Sequence, residues 1–275
     1  MTRRFILCLG ASKSGTTWFH NFLKSQPDVY PGLRKEFAIL NKLFGFSPVI
    51  FPPPTRGINS VLSRKYDLRH SEIERIGASL DSYVSYFDDL IGDGGFSMDV
   101  SPVYFMITAR DLEKVILAFR ARDIEVVIVV LLRDPVLRCI SYGKMVQRNR
   151  FLKQDLSIQK GMELDEIVPR LVQSSNFSHD YLSVIRNVEA VQEEAKKIIF
   201  PFENAVTPEG FKCLASLLGL KTKDDFEKKI IHEDKSGQET GNVDVQVLRQ
   251  LLFDQYSGCQ EYFESKGILP QWHFL

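Results

Sequence analysis

Val126-Val-Ile-Val-Val-Leu-Leu132 is a run of seven apolar residues, five of them β-branched, with no polar position anywhere in it. Side chains of a strand alternate between two faces, so a run without polar alternation must be covered on both. That is the signature of a central strand in a parallel sheet sandwiched by helices. Arg133-Asp-Pro135 closes the run, and Val136 to Arg150 then reads as a helix with Pro135 in its first turn. Phe5 to Leu9 is a second, shorter run of the same kind, with a glycine directly after it.

Further elements follow from periodicity. Thr16 to Ser25 carries Trp18, Phe19, Phe22 and Leu23 at helical spacing and stops before Pro27; Val29 to Pro31 reads as a strand and Lys35 to Leu43 as a helix. Ser71 to Leu90 is expected to be one helix capped by Ser71, Phe96 to Val100 a strand, and Asp111 to Arg120 a helix. Asp155 to Val172 and His179 to Glu194 read as helices, Lys197 to Phe200 as the last strand, Pro208 to Leu218 as a helix ended by Gly219, and Val243 to Phe263 as one terminal helix. Strands alternating with helices predict an α/β fold: a three-layer, doubly wound, mainly parallel sheet. With 275 residues, 44% of them hydrophobic, a single domain over 1–275 is expected. Segments 45–67, rich in proline, and 151–178 are excursions from it, of the kind that form a lid or a binding loop.

Lys plus Arg equals Asp plus Glu at 35 each, so no global field favours nucleic acid or an anionic membrane. No stretch approaches the roughly 20 apolar residues of a membrane span. The apolar N-terminal run is too short for a secretory signal and enters a charged, glycine-bearing loop. Cys8, Cys139, Cys213 and Cys259 are scattered, without a CxxC pair, which fits a reducing compartment and a cytoplasmic protein better than a disulfide framework or zinc site.

Between the first strand and the first helix lies Gly10-Ala-Ser-Lys-Ser-Gly-Thr-Thr17. Backbone N–H groups and a helix N-terminus at such a place form an anion site. A Walker A loop, GxxxxGK[ST], would place lysine directly after the second glycine. Here that position is Thr16 and the lysine stands earlier, at Lys13. The loop is therefore read as a phosphate cradle of another kind.

Lys13-Ser-Gly-Thr-Thr-Trp18 resembles the signature of sulfotransferases that use 3′-phosphoadenosine 5′-phosphosulfate (PAPS). Arg133-Asp-Pro with Ser141 eight residues after the arginine resembles the family's second nucleotide element. The resemblance implies a P-loop-like sulfotransferase fold and transfer of a sulfuryl group from PAPS to a hydroxyl or amine, without metal, leaving adenosine 3′,5′-bisphosphate (PAP). It implies that Lys13 neutralises the bridging oxygen, that Ser14, Gly15, Thr16 and Thr17 hold the 5′-phosphate, that Trp18 packs near adenine, and that Arg133 and Ser141 bind the 3′-phosphate. Lys35-Glu36 looks like the pair from which bacterial and heparan-type members take their base, so Glu36 is the candidate base. Ser97-Met-Asp-Val-Ser-Pro102 lacks the histidine used by phenol and steroid sulfotransferases, which leaves Asp99 as the other possibility. Tyr104 either lines the cleft or buries its ring in the core, Lys235, Ser236 and Gly237 are expected to close over the nucleotide, and segments 45–67 and 151–178 to form the acceptor site. Phe202-Glu-Asn204 resembles a structural stretch of the family. The acceptor, a carbohydrate, a lipid or a small molecule, is not legible in the residues. Two other readings stand beside this one: a P-loop nucleotide kinase, and a nucleotide-binding protein without catalysis.

Overall fold

A computed structural model describes residues 2–46, 70–148, 161–173, 180–221 and 242–272. The strands are β1 (Arg3–Gly10), β2 (Val29–Pro31), β3 (Gly95–Val100), β4 (Glu125–Leu132) and β5 (Lys196–Pro201). The helices are α1 (Thr16–Lys24), α2 (Ile39–Phe44), α3 (Leu80–Ile91), α4 (Ala109–Arg120), α5 (Pro135–Arg148), α6 (Leu164–Gln173), α7 (Tyr181–Glu189), α8 (Phe202–Ala205), α9 (Pro208–Leu218), α10 (Val245–Leu251) and α11 (Phe253–Ser265). A short 3-10 turn, Pro102–Met106, follows β3.

The five strands form one sheet in the order β2-β3-β1-β4-β5. Strand β3 runs parallel to β1, with Phe5 opposite Ser97 and Leu7 opposite Asp99, and parallel to β2. Every residue from Phe5 to Leu9 is fully buried, and Val126 to Leu132 are at most 1% exposed. Since neighbouring residues on a strand face opposite sides, both faces of the sheet are covered and the architecture is layered α/β. The chain leaves β1 toward β2 and leaves β4 toward β5, on opposite sides, so the topological switch point falls beyond the carboxyl ends of β1 and β4.

Contacts group the chain into two units. The first comprises Met1–Gly10, Thr17–Val129 and Asn187–Ile198. Its core is an aromatic cluster. Phe5 stacks on Phe119 with centroids 4.1 Å apart and meets Phe87 at 4.5 Å, while Phe87 meets Phe37 at 5.0 Å. The second comprises Ala11–Thr16, Val130–Arg186 and Ile199–Leu275. There α5 and α6 pack through Val146, Ile167 and Leu171, and a Cβ on Gly143 would lie 2.7 Å from Val168, so the two helices approach where the side chain is missing. Tyr256, Phe263 and Trp272 form a further cluster, with Trp272 edge-on to both others.

Five elements differ from the sequence reading, one of them the helix expected over His179 to Glu194, which ends at Glu189. Helix α2 starts at Ile39 instead of Lys35, because Ala38 takes a left-handed conformation at φ 55°. The expected helix from Ser71 to Leu90 is broken: residues 70–76 are helical, and Ser79 then caps a new helix by accepting from the Ser82 N–H. Helix α6 begins at Leu164, where Asp165 and Glu166 supply the acidic first turn, and it carries Pro169 in its interior. The terminal helix is two helices joined at Leu252. Of the proposed acceptor excursions, 47–67 lies outside the described residues, as do 151–160 and 174–178. Phe44 and Phe46, at the edge of the first, pack within the first unit against the Lys114 ammonium and Tyr104. Among the described residues no helix is long and apolar enough to cross a membrane.

Candidate functional site

The second unit brings together the two sequence elements expected to bind phosphate. The Ala11 N–H donates to the Leu131 carbonyl across 2.8 Å, placing the loop after β1 beside the end of β4. Arg138 Nε donates to the Ser12 carbonyl at 2.9 Å, and Arg133 Nη1 approaches the Lys13 carbonyl at 3.4 Å. With these two carbonyls turned to arginines, what the loop offers a ligand is N–H groups. The backbone is bent to do so. Lys13 has φ 67°, a left-handed conformation that costs a non-glycine residue roughly 1–3 kcal/mol, and Gly15 has φ 77°. Glycine is required at 15 for a second reason: a Cβ there would sit 1.9 Å from Cε2 of Phe202. α1 begins at Thr16, so the loop ends in a helix N-terminus.

Two buried polar atoms here lack hydrogen-bond partners. One is Oγ of Ser14, a fully buried residue, and the other is Nε of Arg133. The Tyr181 hydroxyl lies beside the Ser14 hydroxyl and donates to the Arg133 carbonyl at 2.8 Å. Burial pushes the Tyr181 phenol well above its ordinary range. Unpaired buried donors are costly, and a site built to receive an anion is one place where they occur.

Arg133 lies 5.9 Å over the Phe202 ring, and its Nε is 3.8 Å from Oε1 of Glu203, with both side chains only 11% exposed. Glu203 in turn accepts from the Asp134 N–H, at 3.2 and 3.3 Å to its two oxygens. Burial pushes its carboxyl up to about 8, partly offset by hydrogen bonding and the Arg133 charge. Asp134 caps α5, accepting from the N–H groups of Val136 and Leu137 at 3.0 and 3.1 Å and from the Tyr256 hydroxyl at 2.7 Å. Ser141 is half-buried on α5, one turn after Arg138 and so on the same helix face.

The first unit carries the candidate base. Because α2 starts late, Lys35 and Glu36 stand before the helix on irregular chain, and Lys35 Nζ donates to Glu36 Oε1 at 2.8 Å and to Thr17 Oγ1 at 2.9 Å. Thr17, exposed, thus keeps its own hydroxyl proton for donation. Trp18 stacks on Phe22 at 5.9 Å. The segment is held from below by Asp99. This fully buried carboxylate accepts from the hydroxyls of Tyr83 (2.8 Å), Tyr104 (2.7 Å) and Ser101, and from the Phe37 N–H at 3.4 Å. The Ala38 and Leu40 N–H groups bond Ser101 Oγ and the Tyr104 hydroxyl. Burial raises the Asp99 carboxyl to about 6, against the pull of those donors.

These contacts correct one expectation and decide between the two readings of Tyr104. Asp99 is not available as a base, since its oxygens are filled by structural donors and no surface reaches it. Tyr104 is fully buried and lines no cleft; its hydroxyl serves Asp99. Lys235, Ser236 and Gly237 lie outside the described residues. Residues at the anion cradle that sequence reasoning passed over are Arg138, Tyr181, Glu203 and Tyr256. Arg138 was legible as a charge inside the stretch from Arg133 to Ser141 and Glu203 as the acid of Phe202-Glu-Asn204, whereas Tyr181 and Tyr256 are brought in from distant helices and left no local signal. Among the described residues no group of three or more His, Cys, Asp or Glu could hold a metal ion.

No family model and no curated protein matches the chain. Among solved structures, a sulfotransferase from Alicyclobacillus acidocaldarius is similar over 90% of this chain and 100% of its own, at 19% identity and a TM-score of 0.46. Sulfotransferase STF9 from Mycobacterium avium is similar over 99% of this chain and 79% of its own, at 12% identity and a TM-score of 0.48.

Proposed function

We propose that this protein is a sulfotransferase that binds PAPS and passes its sulfuryl group to a hydroxyl or amine acceptor. The observation that carries the reading is the convergence, within one unit, of the loop 11–16 and Arg133, with the Ser14 hydroxyl and Arg133 Nε buried and unsatisfied beside a backbone that only glycine tolerates at 15. These features fit a nucleotide carrying two separate phosphoryl groups. The loop N–H groups, Ser14 and Thr16 would hold the 5′-phosphate, and the forked guanidinium of Arg133 with Ser141 the 3′-phosphate. When bound, PAPS supplies a sulfuryl group already activated in a phosphate–sulfate anhydride.

The chain's own part is charge and proton management. Lys13 offsets negative charge growing on the departing phosphate, and oriented N–H groups do the same without reorganising. Glu36 accepts the proton from the acceptor, and Lys35 orients the carboxylate through its 2.8 Å contact.

The test is a thermal-shift and calorimetric comparison of PAP with ATP–Mg²⁺, followed by transfer from labelled PAPS to pools of phenolic, carbohydrate and lipid alcohols. Binding to the folded state raises the melting temperature. A rise with PAP and labelled product from one pool support the reading. Tight ATP–Mg²⁺ binding with no response to PAP points to a kinase instead, and PAP binding without turnover of any acceptor points to a nucleotide-binding protein.

A further inference from the structure

Glu203 is a carboxylate placed where an anion is proposed to bind. It sits 3.8 Å from Arg133 Nε, beyond hydrogen-bond reach, on the turn whose Phe202 ring supports both Arg133 and Gly15. Its two oxygens accept from the Asp134 N–H, and the carboxylate takes one further backbone hydrogen bond, from its own residue. The charged groups facing it among the described residues are the Arg133 guanidinium and the Asp134 carboxylate, and the latter is saturated by the Val136 and Leu137 N–H groups and the Tyr256 hydroxyl. A dianion brought onto Arg133 would therefore meet a buried carboxylate that has few donors and one counter-ion to share.

From this geometry we infer that Glu203 is a positioning residue for Arg133 that takes up one proton when a phosphate dianion binds, so that nucleotide affinity is coupled to pH. In the free protein above about pH 8 the carboxylate holds the guanidinium in place. On binding, one proton passes from solvent to a Glu203 oxygen, Arg133 turns its charge wholly to the ligand, and the unit gains one negative charge instead of two for each bound dianion. The raised carboxyl, at about 8, places the effect in a measurable range. Below about pH 7 Glu203 already carries the proton and adds no pH dependence of its own, and the second ionisation of the phosphate, near pH 6, governs binding there. Above pH 8 affinity falls by about tenfold per unit, the linkage slope of one proton. The inference rests on the nucleotide-site reading and adds to it the coupling.

The experiment is calorimetry of PAP with the intact protein at pH 8.5 in buffers of different ionisation enthalpy, repeated for Glu203→Gln. Uptake approaching one proton in the natural protein, absent in Glu203→Gln together with the fall in affinity between pH 8 and 9, is the expected result. PAP binding with no proton uptake overturns the coupling and leaves the nucleotide site standing. Uptake that persists in Glu203→Gln moves the proton to another group and equally overturns it. Absence of PAP binding at any pH overturns the site and the coupling together. The natural protein alone decides the first of these outcomes, so poor folding of the variant does not shield the inference.

Discussion

Arg138 on α5 reaches back to the backbone of Ser12, donating from Nε to its carbonyl at 2.9 Å, with its guanidinium 5.1 Å over the Tyr181 ring. One buried arginine, 3% exposed, thus fixes the loop after β1 from a position 126 residues later.

Removing it tests how far the cradle depends on that tether. Arg138→Ala leaves a buried carbonyl unpaired and is expected to destabilise the fold by roughly 1–3 kcal/mol in urea denaturation. It is also expected to weaken PAP by about tenfold in calorimetry. Unchanged affinity would show that the loop keeps its shape without the tether.

Gly15→Ala meets both a left-handed backbone and the Phe202 ring, and the expected loss is roughly 2–4 kcal/mol. Phe202→Leu should recover part of it, because the ring edge is what the new Cβ strikes. A double-mutant cycle reads the coupling directly, and additivity within about 0.5 kcal/mol would mean the clash is relieved elsewhere.

For Asp99 the sign of the pH effect is fixed by the raised carboxyl. The folded state keeps its proton up to about pH 6, whereas the unfolded chain releases it near pH 4. Between those values the native state binds more protons, so this group's contribution falls as pH rises from about 4 to about 6, by on the order of 3 kcal/mol, and is level above. Asp99→Asn should lose that slope. The variant also disturbs the tyrosine donors, so the comparison is of slopes, by denaturation at pH 4.5 and 7, and parallel curves would refute the assignment.

Changing Arg133 to alanine should weaken PAP far more than adenosine 5′-phosphate, on the order of 100-fold against less than fivefold, given charge-assisted bonds of roughly 1.5–3 kcal/mol. Equal losses for both nucleotides would place Arg133 away from the 3′-phosphate.

Glu36→Gln is expected to lower kcat by about 100-fold or more while PAP affinity stays within twofold, as removal of a general base should do. If affinity falls and kcat survives, Glu36 serves binding or position.

The strands were readable because continuous apolar runs have few other meanings, and β1, β2 and β4 were anticipated within two residues at each end. α9 was anticipated to the residue, Gly219 ending it in a left-handed cap at φ 72°. Helix interruptions were not readable. Ala38 adopts a positive φ because Asp99 and Ser101 hold the adjoining N–H groups, a tertiary cause that nothing in Lys35–Leu43 displays. The break at Leu252 likewise occurs in a stretch whose propensities suit helix throughout. At the site, Lys13 and Arg133 stood out through their place after apolar strands. Asp99 was legible as an acid, but its burial was not, since Tyr83 reaches it from a helix 16 residues away.

The tyrosine hydroxyls on Arg133 and Asp134 come from positions 181 and 256. A nascent or clipped polypeptide ending before them would carry both sequence motifs in full and still leave the Arg133 carbonyl and the Asp134 carboxylate without these donors. Motif content alone therefore does not mark a fragment able to build this region, and translation must pass Tyr256 before both bonds can form.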